Sequence, residues 1–123
     1  MLILTMRKIN FYVNEQGIAP VEEFLDSLSS KQAQKIAWVM QLVEELVRVP
    51  VQYFKKLVGT KDIWEIRAQL GSDIFRVLGF FINDNTFIAT NGFQKKAMET
   101  PKIEINLAHK RKQEYLRNKG DHE

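Results

Sequence analysis

Six cations stand in or beside the most β-prone part of this chain: Lys55, Lys56, Arg67, Arg76, Lys95 and Lys96. Arg76 lies inside the apolar run 75–82, where a bare buried charge is costly, so it must meet an anion or reach solvent. Arginine stays charged and offers a rigid fork that fits a phosphate and the charge of a pentavalent transition state. A lysine held near other cations loses proton affinity and can shuttle a proton. On neighbouring strands these residues predict a concave, electropositive sheet face suited to a phosphate backbone. Phe93, after Gly92 at a strand end, suits stacking on an unpaired base or a place in the core. The plainer alternative is an ordinary surface ion pair of Arg67 with Glu65 or Asp73.

The elements that must position these groups are legible in the pattern. Residues 63–70, 74–82 and 86–93 read as three strands, and Gly71-Ser72 and Asn83-Asp84-Asn85 read as hairpin turns. An antiparallel meander follows, with 74–82, apolar on both faces, at its centre. Alternation places Glu65 and Arg67 on one face and Trp64, Ile66 and Ala68 on the other. If helices cover the Trp64 face, Arg67 points outward with Arg76 beside it, and Lys95 and Lys96 flank the end of the last strand.

Residues 7–13 alternate as a first strand, with Ile9, Phe11 and Val13 on one face. Pro20 suits the first position of a short helix whose stripe is Val21, Phe24, Leu25 and Leu28. Ser29 with Gln32 resembles a capping box opening a longer helix. Its stripe is Ile36, Val39 or Met40, Val43, Leu46 and Val47, and Pro50 ends it. Thr100-Pro101 is the expected N-cap and first position of a last helix, 102–119, with Ile103, Leu107, Ala108 and Tyr115 as its contact side. The predicted fold is α+β in the order β-α-α-β-β-β-α. An antiparallel sheet packs against an N-terminal helical hairpin, with a C-terminal helix.

Composition excludes several classes. At 123 residues and 45% hydrophobic content, residues 1–123 are expected to form one domain. No segment approaches the roughly 20 apolar residues of a membrane span. The apolar start is too short for a signal peptide, and its charges follow the apolar part. A start at Met6 would leave a tidy first strand, making 1–5 either a longer strand or an extension outside the coding frame. There is no cysteine, hence no disulfide or thiolate site, and with only His109 and His122 a histidine metal cage is not expected. No metal or cofactor is expected, and the expected setting is cytoplasmic. Gly-rich phosphate loops and Ser/His/Asp patterns are absent. The net charge is +3, yet acidic residues gather early while lysines and arginines dominate after Phe93, as a polyanion partner would favour. Tyr12, Tyr53 and Tyr115 each offer a phenol that spacing does not distinguish, and His109 reads as a solvated helix residue.

Taken in order, Phe54-Lys55-Lys56-Leu57, Ile63-Trp64-Glu65-Ile66-Arg67, Phe75-Arg76-Val77-Leu78, Asn91-Gly92-Phe93-Gln94-Lys95-Lys96 and Thr100-Pro101 before a basic helix form a pattern over nearly the whole chain. It resembles the toxins of type II toxin–antitoxin systems, in the phage-related, HigB-like branch of the RelE/ParE superfamily. The resemblance implies a toxin silenced by a helix-turn-helix antitoxin, in a possible hetero-oligomer. It also implies ribosome-dependent cleavage of mRNA, in which the RNA's own 2′-OH attacks the adjacent phosphate without a metal. By position, Arg67, Arg76, Lys95 and Lys56 would be catalytic, and Lys55, Lys96, Phe93 and Asn91 would contact RNA. Where the family often has His, this chain has Asn91, which does not titrate near neutrality. The C-terminal tyrosine of some RelE-type enzymes has no counterpart, since Tyr115 lies well inside the last helix, so the general acid is unassigned. A ParE-like toxin acting on DNA gyrase, or an inactive antitoxin-binding relative, are the alternative readings.

Overall fold

A computed structural model describes residues 7–120, so the question of Met1 against Met6 lies outside the described residues. The elements are β1 (Lys8–Phe11), α1 (Pro20–Asp26), α2 (Ser30–Glu45), β2 (Phe54–Lys56), β3 (Trp64–Leu70), β4 (Asp73–Asn83), β5 (Thr86–Lys95) and α3 (Lys102–Gly120). The sheet order is β1-β5-β4-β3-β2. The meander is antiparallel and β4 is central, as the two-sided apolar pattern predicts. Two features differ from expectation. β1 joins β5 in parallel, because α1 and α2 carry the chain across one face before the meander returns to that edge. β2 is an additional strand of three residues with two exposed lysines, and it exists only through its pairing with β3.

Each sheet face has its own core. α1 and α2 cover Ile66, Ala68, Phe75, Val77, Phe87 and Ala89 with Val21, Ile36, Val39, Met40 and Val43. α3 covers part of the opposite face, where Leu78, Phe80 and Ile88 meet Ala108, Ile105 and Tyr115. The predicted contact side of α3 is shifted: Ile103 is 74% exposed, and Ile105 packs in its place.

Helix ends follow local chemistry. At the start of α2, the Gln32 amide donates to Ser29 Oγ (3.2 Å) and the Ser29 amide donates to Gln32 Oε1 (3.0 Å), the reciprocal pair of a capping box. α2 stops at Glu45, short of the predicted Leu46 and Val47. Arg7 ends it, donating to the carbonyls of Val43, Leu46 and Val47, which otherwise lack helical partners. Thr100 does not cap α3. Its hydroxyl donates to the Glu65 carboxylate, a charge-assisted bond that outweighs one to a backbone amide. The Pro101 carbonyl instead accepts from the amides of Glu104 and Ile105.

Tyr12 ties the two ends of the chain together. Its buried hydroxyl donates to Glu114 Oε2 (2.5 Å), and burial, reinforced by that carboxylate, pushes its pKa up to about 12. The folded value lies above the unfolded one, so this stabilisation is complete below pH ~10 and is lost as pH rises toward the folded value. Tyr12→Phe is expected to cost about 1–2 kcal/mol at neutral pH in urea unfolding, with the gap to wild type closing in strong alkali.

Candidate functional site

Hairpin geometry aligns the cations. Gly71 has φ of +62°, and the two residues Gly71-Ser72 join Leu70 to its partner Asp73. That register sets Arg67 directly opposite Arg76, and Arg76 in turn opposite Phe93. Facing residues on paired strands share a side, so Arg67, Arg76 and Phe93 form one row on the α3 face, beyond the part that α3 covers. Glu65 with Lys55 and Ile74 with Lys95 continue the same face in neighbouring rows.

A bulge completes the arrangement. Leu78 pairs with Asn91 while Gly79 pairs with Ala89, leaving Thr90 as the extra residue. Without it, Asn91 and Phe93 would share the side of Ala89, beneath α1. The inserted residue turns them to the α3 face instead. The freed Thr90 carbonyl accepts from Arg111 Nη1 at 2.9 Å, so α3 satisfies the backbone group that the bulge releases.

At the centre lies Glu65, 3% exposed. Its Oε1 is 3.4 Å from Arg76 Nε and 3.5 Å from Arg67 Nε, and its Oε2 accepts from Thr100. Arg76 is 6% exposed and Arg67 is partly open. Arg76 Nη1 donates to the Phe75 carbonyl (3.0 Å) and Arg67 Nη1 to the Val51 carbonyl (3.3 Å). Neither Nη2 has a partner among the described residues. Burial lowers the proton affinity of Arg76, which Glu65 partly restores and Arg67 opposes. Lys95 is half-buried on the same face, and its pKa is lowered by burial first and then by Arg76. Three cations thus surround one carboxylate, leaving an excess of positive charge.

The other expected site residues divide. Phe93 is half-buried beside Arg76 and packs on the core of the α3 face. Lys55 is exposed on the site face. Lys56 is not in the cluster: β2 turns it to the opposite face beside Trp64, where it pairs with Asp62 at 2.8 Å. Lys96 lies one residue beyond β5 and is exposed. Asn91, expected to contact RNA, is instead buried. Its Nδ2 donates to the Glu104 backbone and side chain, and its Oδ1 accepts from Thr90, so it fixes the start of α3. His109 is half-buried in α3, far along the helix from the cluster, and burial with nearby Lys112 and Lys61 lowers its pKa.

Sequence patterning also left out part of the site. The central place of Glu65, its link to Thr100 and a groove of about 320 Å³ beside the arginines belong to it. The groove is lined by Lys35, Gln52, Tyr53, Arg67, Ala68, Gln69 and Arg76, so α2 contributes a further cation. Among the described residues no group of His, Asp or Glu side chains is arranged to hold a metal ion. No helix among them is long and apolar enough to cross a membrane.

A buried carboxylate lies between two strand arginines with a lysine beside them, an arrangement with more positive than negative charge. The family model described as "Phage derived protein Gp49-like (DUF891)" matches residues 23–113, which include Arg67, Arg76 and Lys95. The chain belongs to the Gp49-like family. This is a RelE toxin-like family, in agreement with the superfamily indicated by the motifs from Phe54 to Pro101. No curated protein matches this Gp49-like chain significantly. Among solved structures, a chain of the archaeal RelE–RelB complex from Pyrococcus horikoshii OT3 is similar to it. The identity is 22%, the TM-score 0.48, and the match covers 72% of this chain and 94% of that one.

Proposed function

We propose that this chain is the toxin of a type II toxin–antitoxin pair and acts in the cytoplasm as a ribosome-dependent endoribonuclease. The observation that carries the reading is the Arg67–Arg76 pair, set against Glu65 and sharing one sheet face with Lys95. Such an array holds one phosphate of single-stranded RNA and stabilises the charge that develops on it. The 2′-oxygen of the preceding nucleotide attacks phosphorus, the P–O5′ bond breaks, and a 2′,3′-cyclic phosphate and a 5′-hydroxyl result. The 2′-OH proton leaves to a base and the departing O5′ takes up a proton. Lys95, with its lowered proton affinity, is suited to one of these transfers. Phe93 offers a ring to a neighbouring base, and exposed Lys55 and Lys96 attract the strand. Lys56, turned away and paired with Asp62, has no direct part.

A cognate helix-turn-helix antitoxin is the expected partner, following from the resemblance of the motifs, with mRNA on the ribosome as substrate. Induction of the chain in cells, followed by mapping of mRNA 5′ ends, tests the reading. New ends phased with codons are expected. Intact mRNA together with trapped gyrase–DNA complexes would replace it with gyrase poisoning.

A further inference from the structure

We infer that Glu65 is a positioning residue whose buried carboxylate steadies Arg67 and Arg76 on the side of their Nε atoms, leaving their Nη2 nitrogens for one phosphate of single-stranded RNA. The inference rests on the proposed nuclease reading for its substrate. The anchor itself is geometric.

Arg67 and Arg76 are directly opposed on β3 and β4, where like charges destabilise a strand pair. A carboxylate between them removes that conflict, and alternation on β3 puts Glu65 on their face two residues from Arg67. The division of its oxygens is specific. Oε1 serves both guanidinium groups, while Oε2 accepts the Thr100 hydroxyl and so ties the segment between β5 and α3 to the cluster. With both oxygens engaged and the group 3% exposed, Glu65 does not reach a substrate hydroxyl. That separates its role from that of a general base.

Both Nε atoms are buried and make no hydrogen bond, so their only link to Glu65 is the ion pair. At 3.4 and 3.5 Å the contacts are electrostatic, longer than a well-formed N–H···O bond. One anion also leaves the surrounding cations in excess. The site is steadied without being neutralised.

The test uses the full chain with Glu65→Gln and Glu65→Asp. The Nε–Hε resonances of Arg67 and Arg76 are assigned by NMR, and single-turnover cleavage of mRNA on ribosomes is followed against pH. Wild type is expected to show two shifted, resolved Nε–Hε signals. In Glu65→Gln these move toward the positions of solvated arginine, cleavage falls roughly 10- to 100-fold, and the acid limb of the pH profile stays in place. Glu65→Asp, which keeps the charge, is expected to recover a substantial part of the rate, and it carries the test if the Gln variant does not fold. Unmoved signals in the Gln and Asp variants would overturn the anchor. A vanished acid limb in Glu65→Gln with the signals unmoved would instead make Glu65 the base. If wild type cuts no RNA, the nuclease reading fails and the resonances alone decide the anchor.

Discussion

Arg76→Ala is expected to lower single-turnover RNA cleavage by about 10²–10³-fold, the scale of losing one preorganised charge donor at a reacting oxyanion, or about 3–4 kcal/mol. Arg76 is the more buried of the two strand arginines, lies between Arg67 and Phe93 in register, and shares the carboxylate of Glu65. Its loss removes a donor and also loosens its neighbour. Arg76→Lys is expected to fall between wild type and Ala, because an ammonium supplies the charge without the fork. The loss must appear in the cleavage rate of folded protein, so circular dichroism and urea unfolding accompany the kinetics. Glu65 keeps Arg67 and Thr100 as partners in the variant, so its charge is not left alone. Wild-type cleavage by folded Arg76→Ala would remove this arginine from the mechanism.

The second large effect concerns stability. Gly92 sits between Asn91 and Phe93 and pairs with Val77, with its open side toward α1. A Cβ there would overlap the Phe24 ring, which packs against Phe75 with ring centroids 6.4 Å apart. Gly92→Ala therefore forces α1 away from the sheet, at a cost of about 3 kcal/mol and roughly 10 °C in Tm. Phe24→Leu in the same chain is expected to recover part of the loss. A double-mutant cycle would show a coupling of about 1 kcal/mol or more, since the two groups touch. Additive effects would place the Gly92 requirement elsewhere. The glycine beside the site row is thus explained by helix packing, independently of any contact with RNA.

Much of this was legible in sequence because it rests on periods and turns. Alternation in Trp64-Glu65-Ile66-Arg67 set the faces of β3, and Gly71-Ser72 as a two-residue turn set Arg67 against Arg76. What stayed hidden depends on groups meeting from far along the chain. Arg7 ends α2 across more than 35 residues of sequence, Thr100 turns from its helix to Glu65, and Lys35 reaches the groove from α2. The Thr90 bulge is likewise silent in composition, yet it reverses the sides of β5 and buries Asn91 against Glu104. For Lys56 a register signal was available. Its neighbour Lys55 faces Glu65, so the two lysines must point to opposite sides, and one of them had to leave the cluster. Glu65 was weighed as a surface partner for Arg67. Its burial between two arginines follows only once β3 and β4 are paired.

The most direct measurement is the chemistry of RNA ends produced when translating ribosomes are incubated with wild type and with Arg67→Ala/Arg76→Ala. Wild type is expected to give codon-phased cuts bearing 5′-hydroxyl and 2′,3′-cyclic phosphate ends, and the double variant none. No new ends with wild type, or the same ends from the variant, would contradict this mechanism.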